Sequence, residues 1–325
     1  MQTLLPTTRT LIDHCERGSA DWRERDLLVT VILRHGSRAD AEALLPVFLA
    51  APERHAALVD ILAAHGDATM AWRLAAECVT GDRLREGIPE GVLHALGYLG
   101  HEPAQGMLWA YAREGEDWGV QCEATLGLLH LSCQGLEAEI SRELGRHEGQ
   151  SLFPEMLPAL AFKTGEPAWL ERLVTWGERF ASTDCNGGLI LGVALHGAAG
   201  RPHFERLLWD ERWETSGGGT GSERWAYAGT RVLGLSLEQV YGAARARGRS
   251  NALSVLVALL RVWLRRPWLG LRMASEPSES PAQVHALLRS SLELTRNVLG
   301  ERHPLVATLH ELERETRLTQ TPPDS

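Results

Sequence analysis

A glycine that closes an apolar run, followed by a short polar step and a second apolar run, recurs along this chain and limits what it can fold into. The clearest copy is Leu93–Leu131, LHALGYLGHEPAQGMLWAYAREGEDWGVQCEATLGLLHL. The step returns at Leu33, Leu62, Leu160 and Leu195, with a weaker copy at Leu131. The marker glycines are Gly36, Gly66, Gly100, Gly135, Gly165 and Gly200, at steps of 30, 34, 35, 30 and 35 residues. A period of about 20 to 50 residues marks a repeat architecture, in which each unit buries its apolar side only by stacking on the next. The expected fold is all-α, an α–α superhelical solenoid of about seven helical hairpins.

Each repeat reads as a helix A after the marker glycine and a helix B ending at the next one. The expected pairs are Ala39–Ala50 with Glu53–Ala64, Ala68–Val79 with Pro89–Leu99, and Pro103–Arg113 with Asp117–Leu131. Glu137–Leu144 with Phe153–Phe162 and Ala168–Phe180 with Gly188–Leu195 follow, after a first hairpin of Thr8–Glu16 and Asp21–Arg34. No stretch alternates with period two for long enough to make a strand. The marker glycines are expected to end helices in the left-handed conformation. His35, His65 and His196 beside them suit the negative end of a helix dipole.

After Gly200 the rhythm is expected to break. Phe204–Trp209 continues a helix A, and a glycine-rich insertion at 214–222 then separates it from Leu237–Arg247 and Asn251–Leu264. The step from Gly200 to Gly248 reads as one repeat plus that insertion. The solenoid so defined covers 1–266, a proline-rich linker 267–281, a helical hairpin 282–318 and a disordered tail 319–325.

At 325 residues, 44% hydrophobic and 23% charged, the chain has the composition of an ordinary folded protein. Its net charge of −9 argues against nucleic acid as the main partner, because phosphate binding draws on clustered positive charge. Lys163 is the only lysine, an arginine bias that fits GC-rich, bacterial-type coding. Five cysteines, at 15, 78, 122, 133 and 185, form no CxxC pair and imply a reducing, cytoplasmic compartment. No signal peptide is legible at the start, and the run around Val255–Leu260 is too short to span a bilayer.

The segment Leu96, Gly97, Leu99, Gly100, Pro103, Leu108, then Asp117, Trp118, Val120, Ala124, Leu126 and Leu128, resembles HEAT repeats, an armadillo-like class. It is most similar to the short variety of phycobilin-lyase-like proteins. The C-terminal Leu292, Val298, Leu299, Gly300, His303, Pro304, Ala307 and Leu309 resemble the junction of two tetratricopeptide repeats of kinesin-light-chain type. Both resemblances imply protein-binding solenoids. Binding is then expected on a concave face lined by B helices.

Catalytic motifs are absent from the sequence. GGGTGSE lacks the lysine of a phosphate-binding loop, no GxSxG occurs, and none of His101-Glu102, His147-Glu148 or His310-Glu311 extends to HExxH. No enzyme, cofactor or metal site is expected. Among the eleven tryptophans, Trp22, Trp72, Trp109, Trp118, Trp169 and Trp176 are assigned to packing. Trp209, Trp213, Arg224, Trp225 and Tyr227 flank the glycine-rich stretch and are the expected partner-binding cluster, since aromatics and arginine anchor interfaces.

The expected function is a non-catalytic interaction scaffold, adaptor or immunity-type regulator whose protein partner carries a basic surface. Two alternatives are a tetrapyrrole-handling protein of phycobilin-lyase type and a HEAT-like DNA glycosylase. The second would use the basic patch Arg245, Arg247, Arg249, Arg261, Arg265 and Arg266.

Overall fold

The computed structural model describes residues 4–18, 22–115, 117–179, 186–212, 222–265, 270–274 and 279–320. Helices dominate, and among the described residues the only β pairing is an isolated bridge between Val79 and Leu84. No described helix is long and apolar enough to cross a membrane. The chain divides into two compact units. The first is Met1–Arg146 with Lys163–Gly165 and Pro267–Arg272; the second is His147–Phe162, Glu166–Arg266 and Met273–Ser325.

In the first unit the helices are α1 (Pro6–Arg17), α2 (Trp22–His35), α3 (Arg38–Ala50), α4 (Leu58–His65), α5 (Ala68–Cys78), α6 (Gly91–Tyr98), α7 (Gln105–Glu114), α8 (Trp118–His130) and α9 (Glu137–His147). Consecutive helices pair as α1–α2, α3–α4, α5–α6 and α7–α8, and the second members pack in file, α2 on α4, α4 on α6 and α6 on α8. Their starts are fixed locally. Asp67 accepts from the amides of Thr69 and Met70 at 2.9 and 3.1 Å, and Asp117 from that of Val120 at 2.9 Å, which satisfies first-turn amides that have no intrahelical partner. Asp40 does more. It takes hydrogen bonds from the Ser37 amide and hydroxyl on one oxygen, and from the Leu5 amide and Thr8 hydroxyl on the other, so it ties α1 to α3.

Helix ends are tied across repeats as well. His65 Nε2 lies 2.7 Å from the Ile32 carbonyl oxygen at the end of α2. Lys163 Nζ donates to the Leu131 carbonyl after α8, and an Arg272 guanidinium N–H to the Tyr98 carbonyl of α6. Cationic donors suit the exposed carbonyls and partial negative charge of a helix C-terminus.

The second unit holds α10 (Ala168–Arg179), α11 (Asn186–Leu195), α12 (Arg201–Leu208), α13 (Ser222–Val232), α14 (Leu237–Arg247), α15 (Ser250–Arg265), α16 (Pro281–Leu299) and α17 (Pro304–Gln320). Here too one row stacks in file, α11 on α13, α13 on α15 and α15 on α17.

Glycines make the closest contacts. A Cβ on Gly97 would lie 2.1 Å from the Gly127 carbonyl oxygen, so the backbones of α6 and α8 touch. One on Gly188 would lie 1.9 Å from the Glu155 carbonyl, which sets α11 directly on the segment before it.

Three expectations about single elements are corrected. Phe153–Phe162 is not an α-helix, since Pro158 inside that span could not donate to the Pro154 carbonyl; Leu157–Thr164 forms a 3₁₀ helix instead. The B helix expected from Glu53 begins at Leu58. Of the marker glycines, Gly100, Gly135 and Gly165 are left-handed, whereas Gly66 and Gly200 have φ of −77° and −74°.

The glycine-rich insertion expected at 214–222 lies outside the described residues but for Ser222, where α13 begins; α12 ends before it, and Gly234 follows α13 at φ 65°. Gly234 stands 34 residues after Gly200, a step of one period. Part of the expected linker is anchored: Leu271 is 4% exposed, and Glu279 is buried against Arg231 at 3.5 Å while accepting from the Leu237 amide at 2.6 Å. The expected tail at 319–325 begins in α17, and 321–325 lie outside the described residues.

Candidate functional site: an aromatic and arginine edge and a buried histidine pair

The expected partner-binding cluster separates into an inner and an outer part. Trp225 and Tyr227 sit on α13, whose apolar side faces the core, and are 3% and 6% exposed. Side chains so enclosed offer no surface to a partner, and we reassign both to packing. Trp213 lies outside the described residues. Arg224 remains half-buried, its guanidinium carbon 5.5 Å from the Trp225 ring centre.

Trp209 is half-buried at the end of α12 and carries the outer part. The Arg247 guanidinium carbon stands 4.5 Å from its ring centre, and Asn251 Nδ2 donates to its carbonyl. Gly248, left-handed at φ 57°, turns α14 into α15 and brings this corner onto residues 209–211. Beside it Arg249 pairs with Glu211, and Arg212 grips Asp210 through its backbone amide, Nε and a terminal nitrogen at 2.9, 2.9 and 2.7 Å. The hydrogen bonds from Arg212 hold the Asp210 carboxyl below its usual range. The corner is therefore a mixed-charge, arginine-rich edge around one tryptophan. Arg261, the next member of the expected basic patch, is 3.8 Å from Glu223, and the Arg265 and Arg266 side chains lie outside the described residues.

The other tryptophans also divide. Trp109, Trp169 and Trp176 are buried, the first donating to Glu139 at 2.8 Å and the last to the Gln150 carbonyl at 3.0 Å. Trp72 and Trp118 are not packed as expected: they are 61% and 47% exposed. Trp72 meets the buried His101 ring edge-on at 4.5 Å, while Glu102 accepts from the Ser132 amide and hydroxyl. The His101-Glu102 pair is thus engaged in packing and loop bracing.

Sequence reading missed a histidine pair in the first unit. His94 on α6 and His130 on α8 place their Nε2 atoms 3.3 Å apart, with rings stacked at 5.4 Å and an interplanar angle of 14°. Glu123 Oε2 is 3.4 Å from His94 Nδ1, and Tyr98 packs edge-on against His130. Burial, followed by the nearby His94, Arg272 and Lys163, pushes the His130 pKa down to about 2. His130 is therefore neutral at any ordinary pH. The Nδ1 of His130 is buried without a partner, so a bare lone pair there costs less than an unmet N–H. That tautomer makes His130 Nε2–H the donor to His94 and leaves His94 Nδ1–H for Glu123. The signal was present in the sequence, since the two histidines stand 36 residues apart, close to one period.

Among the described residues no three or more His, Cys, Asp or Glu converge as metal ligands. The thiols of Cys78 and Cys133 are buried and pushed up to about 11, which removes thiolate character from them, and Cys185 lies outside the described residues. Comparison with family models, curated proteins and solved structures gives no match.

Two of the B helices are closed to a partner over most of their length. Every residue from Val92 to Gly97 on α6 and from Asn186 to Ala194 on α11 is buried. These stretches of α6 and α11 offer no surface to a partner.

Proposed function

We propose that the chain is a non-catalytic protein-interaction scaffold built as an α–α solenoid of HEAT-like helix pairs with a tetratricopeptide-like last pair. It acts as an adaptor or immunity-type regulator in the cytoplasm. The stacking of one helix row in file within each unit supports the solenoid reading. The single observation that carries the binding role is the Trp209–Arg247 edge, an accessible aromatic with a stacked guanidinium at the corner of two helix pairs. Such pairs are enriched at interface anchors. The net charge of −9 favours a partner with a basic surface, and the binding should weaken with salt.

Affinity capture from the source organism tests this reading. The wild-type chain is expected to recover a discrete protein that Trp209→Ala and Arg247→Ala lose, with less recovered at higher salt. Equal recovery by both variants, or no protein retained above background, contradicts it. The tetrapyrrole alternative is disfavoured by the raised, buried thiols of Cys78 and Cys133. The glycosylase alternative is disfavoured by the acids set against Arg249 and Arg261.

A further inference from the structure

Helix α5 of the first unit has an outer side that its neighbours leave uncovered. The first helices of successive pairs touch elsewhere, α1 on α3 and α10 on α12. Among the described residues α5 packs on α4 and α6 and makes no comparable contact with α3 or α7. Its inner side, Met70, Leu74 and Cys78, is buried, while Thr69, Trp72, Arg73, Ala76 and Glu77 are exposed on the outer side.

Trp72 dominates that outer side. It is 61% exposed, more than any other described tryptophan, and the buried His101 ring meets it edge-on at 4.5 Å. A large ring held in one orientation loses little freedom when it is covered, and tryptophan is enriched where interfaces gain their energy.

The charges beside the ring select what covers it. Arg73 and Glu77 stand four residues apart on one flank of Trp72, yet neither forms an ion pair among the described residues. A cation placed N-terminal to the acid is the less favourable order for a pair within one helix. Both charges are therefore left for a group outside the chain.

The spacing of the two charges is self-complementary. Ala75 lies midway between them, two residues from each. An antiparallel copy of α5, laid across this face with a two-fold axis at the level of Ala75, brings Arg73 opposite Glu77 of the copy, and Glu77 opposite its Arg73. The same operation sets each Trp72 ring against the half-buried Val79 of the other copy, with the small Ala76 at the centre where the backbones approach. The net charge of −9 opposes self-association in general, but on this flank one cation matches one anion.

We infer that α5 is a self-docking face, through which two copies of the chain pair by antiparallel α5 helices with Trp72 as the anchor and reciprocal Arg73–Glu77 ion pairs. One helix face from each copy buries less than the roughly 1,200 Å² of a stable interface, so the pair is reversible and the dilute chain is a monomer with Trp72 open. The face lies on a different element from the Trp209–Arg247 edge and does not depend on it.

Sedimentation velocity of the full chain over a concentration series tests the inference. The chain should pass from monomer to dimer as concentration rises, and Trp72→Ala should weaken the dimer by about tenfold or more. Arg73→Glu and Glu77→Arg each set like charges opposite one another twice, so each variant should remain monomeric alone. An equimolar mixture of the two should recover the dimer, because one copy then presents two acids and the other two arginines. Both side chains are exposed, so these variants keep the fold, which their melting temperatures check. A chain that stays monomeric up to its solubility limit overturns the inference. So does a dimer that Trp72→Ala and both reversals leave intact, or a mixture of the two reversals that stays monomeric.

Discussion

The Nε2 atoms of His94 and His130 lie 3.3 Å apart, near enough to share one hydrogen and too near to carry two. Acid is therefore the natural stress on the α6–α8 contact. In the unfolded chain His130 takes up a proton near pH 6.5, but in the folded chain only near pH 2. Between those values the unfolded state binds more protons, so stability rises with pH through the window. The contribution is complete above about pH 6.5 and drains away as pH falls below it. On the order of 1–3 kcal/mol should be lost between pH 6.5 and 4.5 through this residue. Urea unfolding at both pH values measures it, and His130→Gln should flatten the difference. An unchanged slope in that variant would remove His130 as the source.

A second acid-sensitive point is Asp40. Burial alone would raise its pKa, but hydrogen bonds from Ser37, Thr8 and the Leu5 and Ser37 amides outweigh burial and lower it. A carboxyl lowered in the fold stabilises it above the ordinary value near 3.8 and loses that contribution as pH falls through the folded value. Asp40→Asn cannot accept on both oxygens, and should cost about 1–3 kcal/mol at pH 7, read from the denaturant midpoint.

Gly97→Ala should be among the most damaging single-methyl additions. The new carbon would meet the Gly127 backbone, which cannot move aside as a flexible side chain would. Overpacking of this kind costs about 1–3 kcal/mol or more. Gly106→Ala, where a Cβ meets nothing within 4 Å, is the matched control and should leave the melting temperature unchanged or raise it.

Tryptophans of like spacing should behave unlike one another. Trp169 is fully buried and Trp72 is 61% exposed. Trp169→Ala should cost about 3–5 kcal/mol, and Trp72→Ala at most about 1 kcal/mol, for its edge contact with His101. Comparable losses for the two would mean that Trp72 is covered in solution.

How much of this was legible from the sequence depended on which physical cue each feature left. The period, the helical class and most helix bounds followed from glycine spacing and apolar periodicity. Gly234 escaped because the step after it, Leu235-Ser236, is not polar; Leu235 is 7% exposed and packs inward. With that marker lost, α13 was read as the flank of a loop, and its buried Trp225 and Tyr227 as contact residues. Pro158 concealed a 3₁₀ turn inside a helical pattern. Glycines inside α6, α8 and α11 act through backbone contact, which composition does not reveal. Burial of α6 on every side is likewise invisible to a one-dimensional pattern, because an all-apolar helix looks the same whether it lines a groove or is enclosed. The His94–His130 pair depends on positions brought together only by stacking.

Amide hydrogen exchange of the chain, free and bound to its captured partner, tests the central claim that α6 and α11 are enclosed core and the Trp209–Arg247 edge is the binding surface. Residues 91–98 and 186–195 should exchange slowly in both states, with protection gained on binding at 205–212 and 245–251. Fast exchange of 91–98 and 186–195 in the free chain, slowed only by the partner, would contradict it.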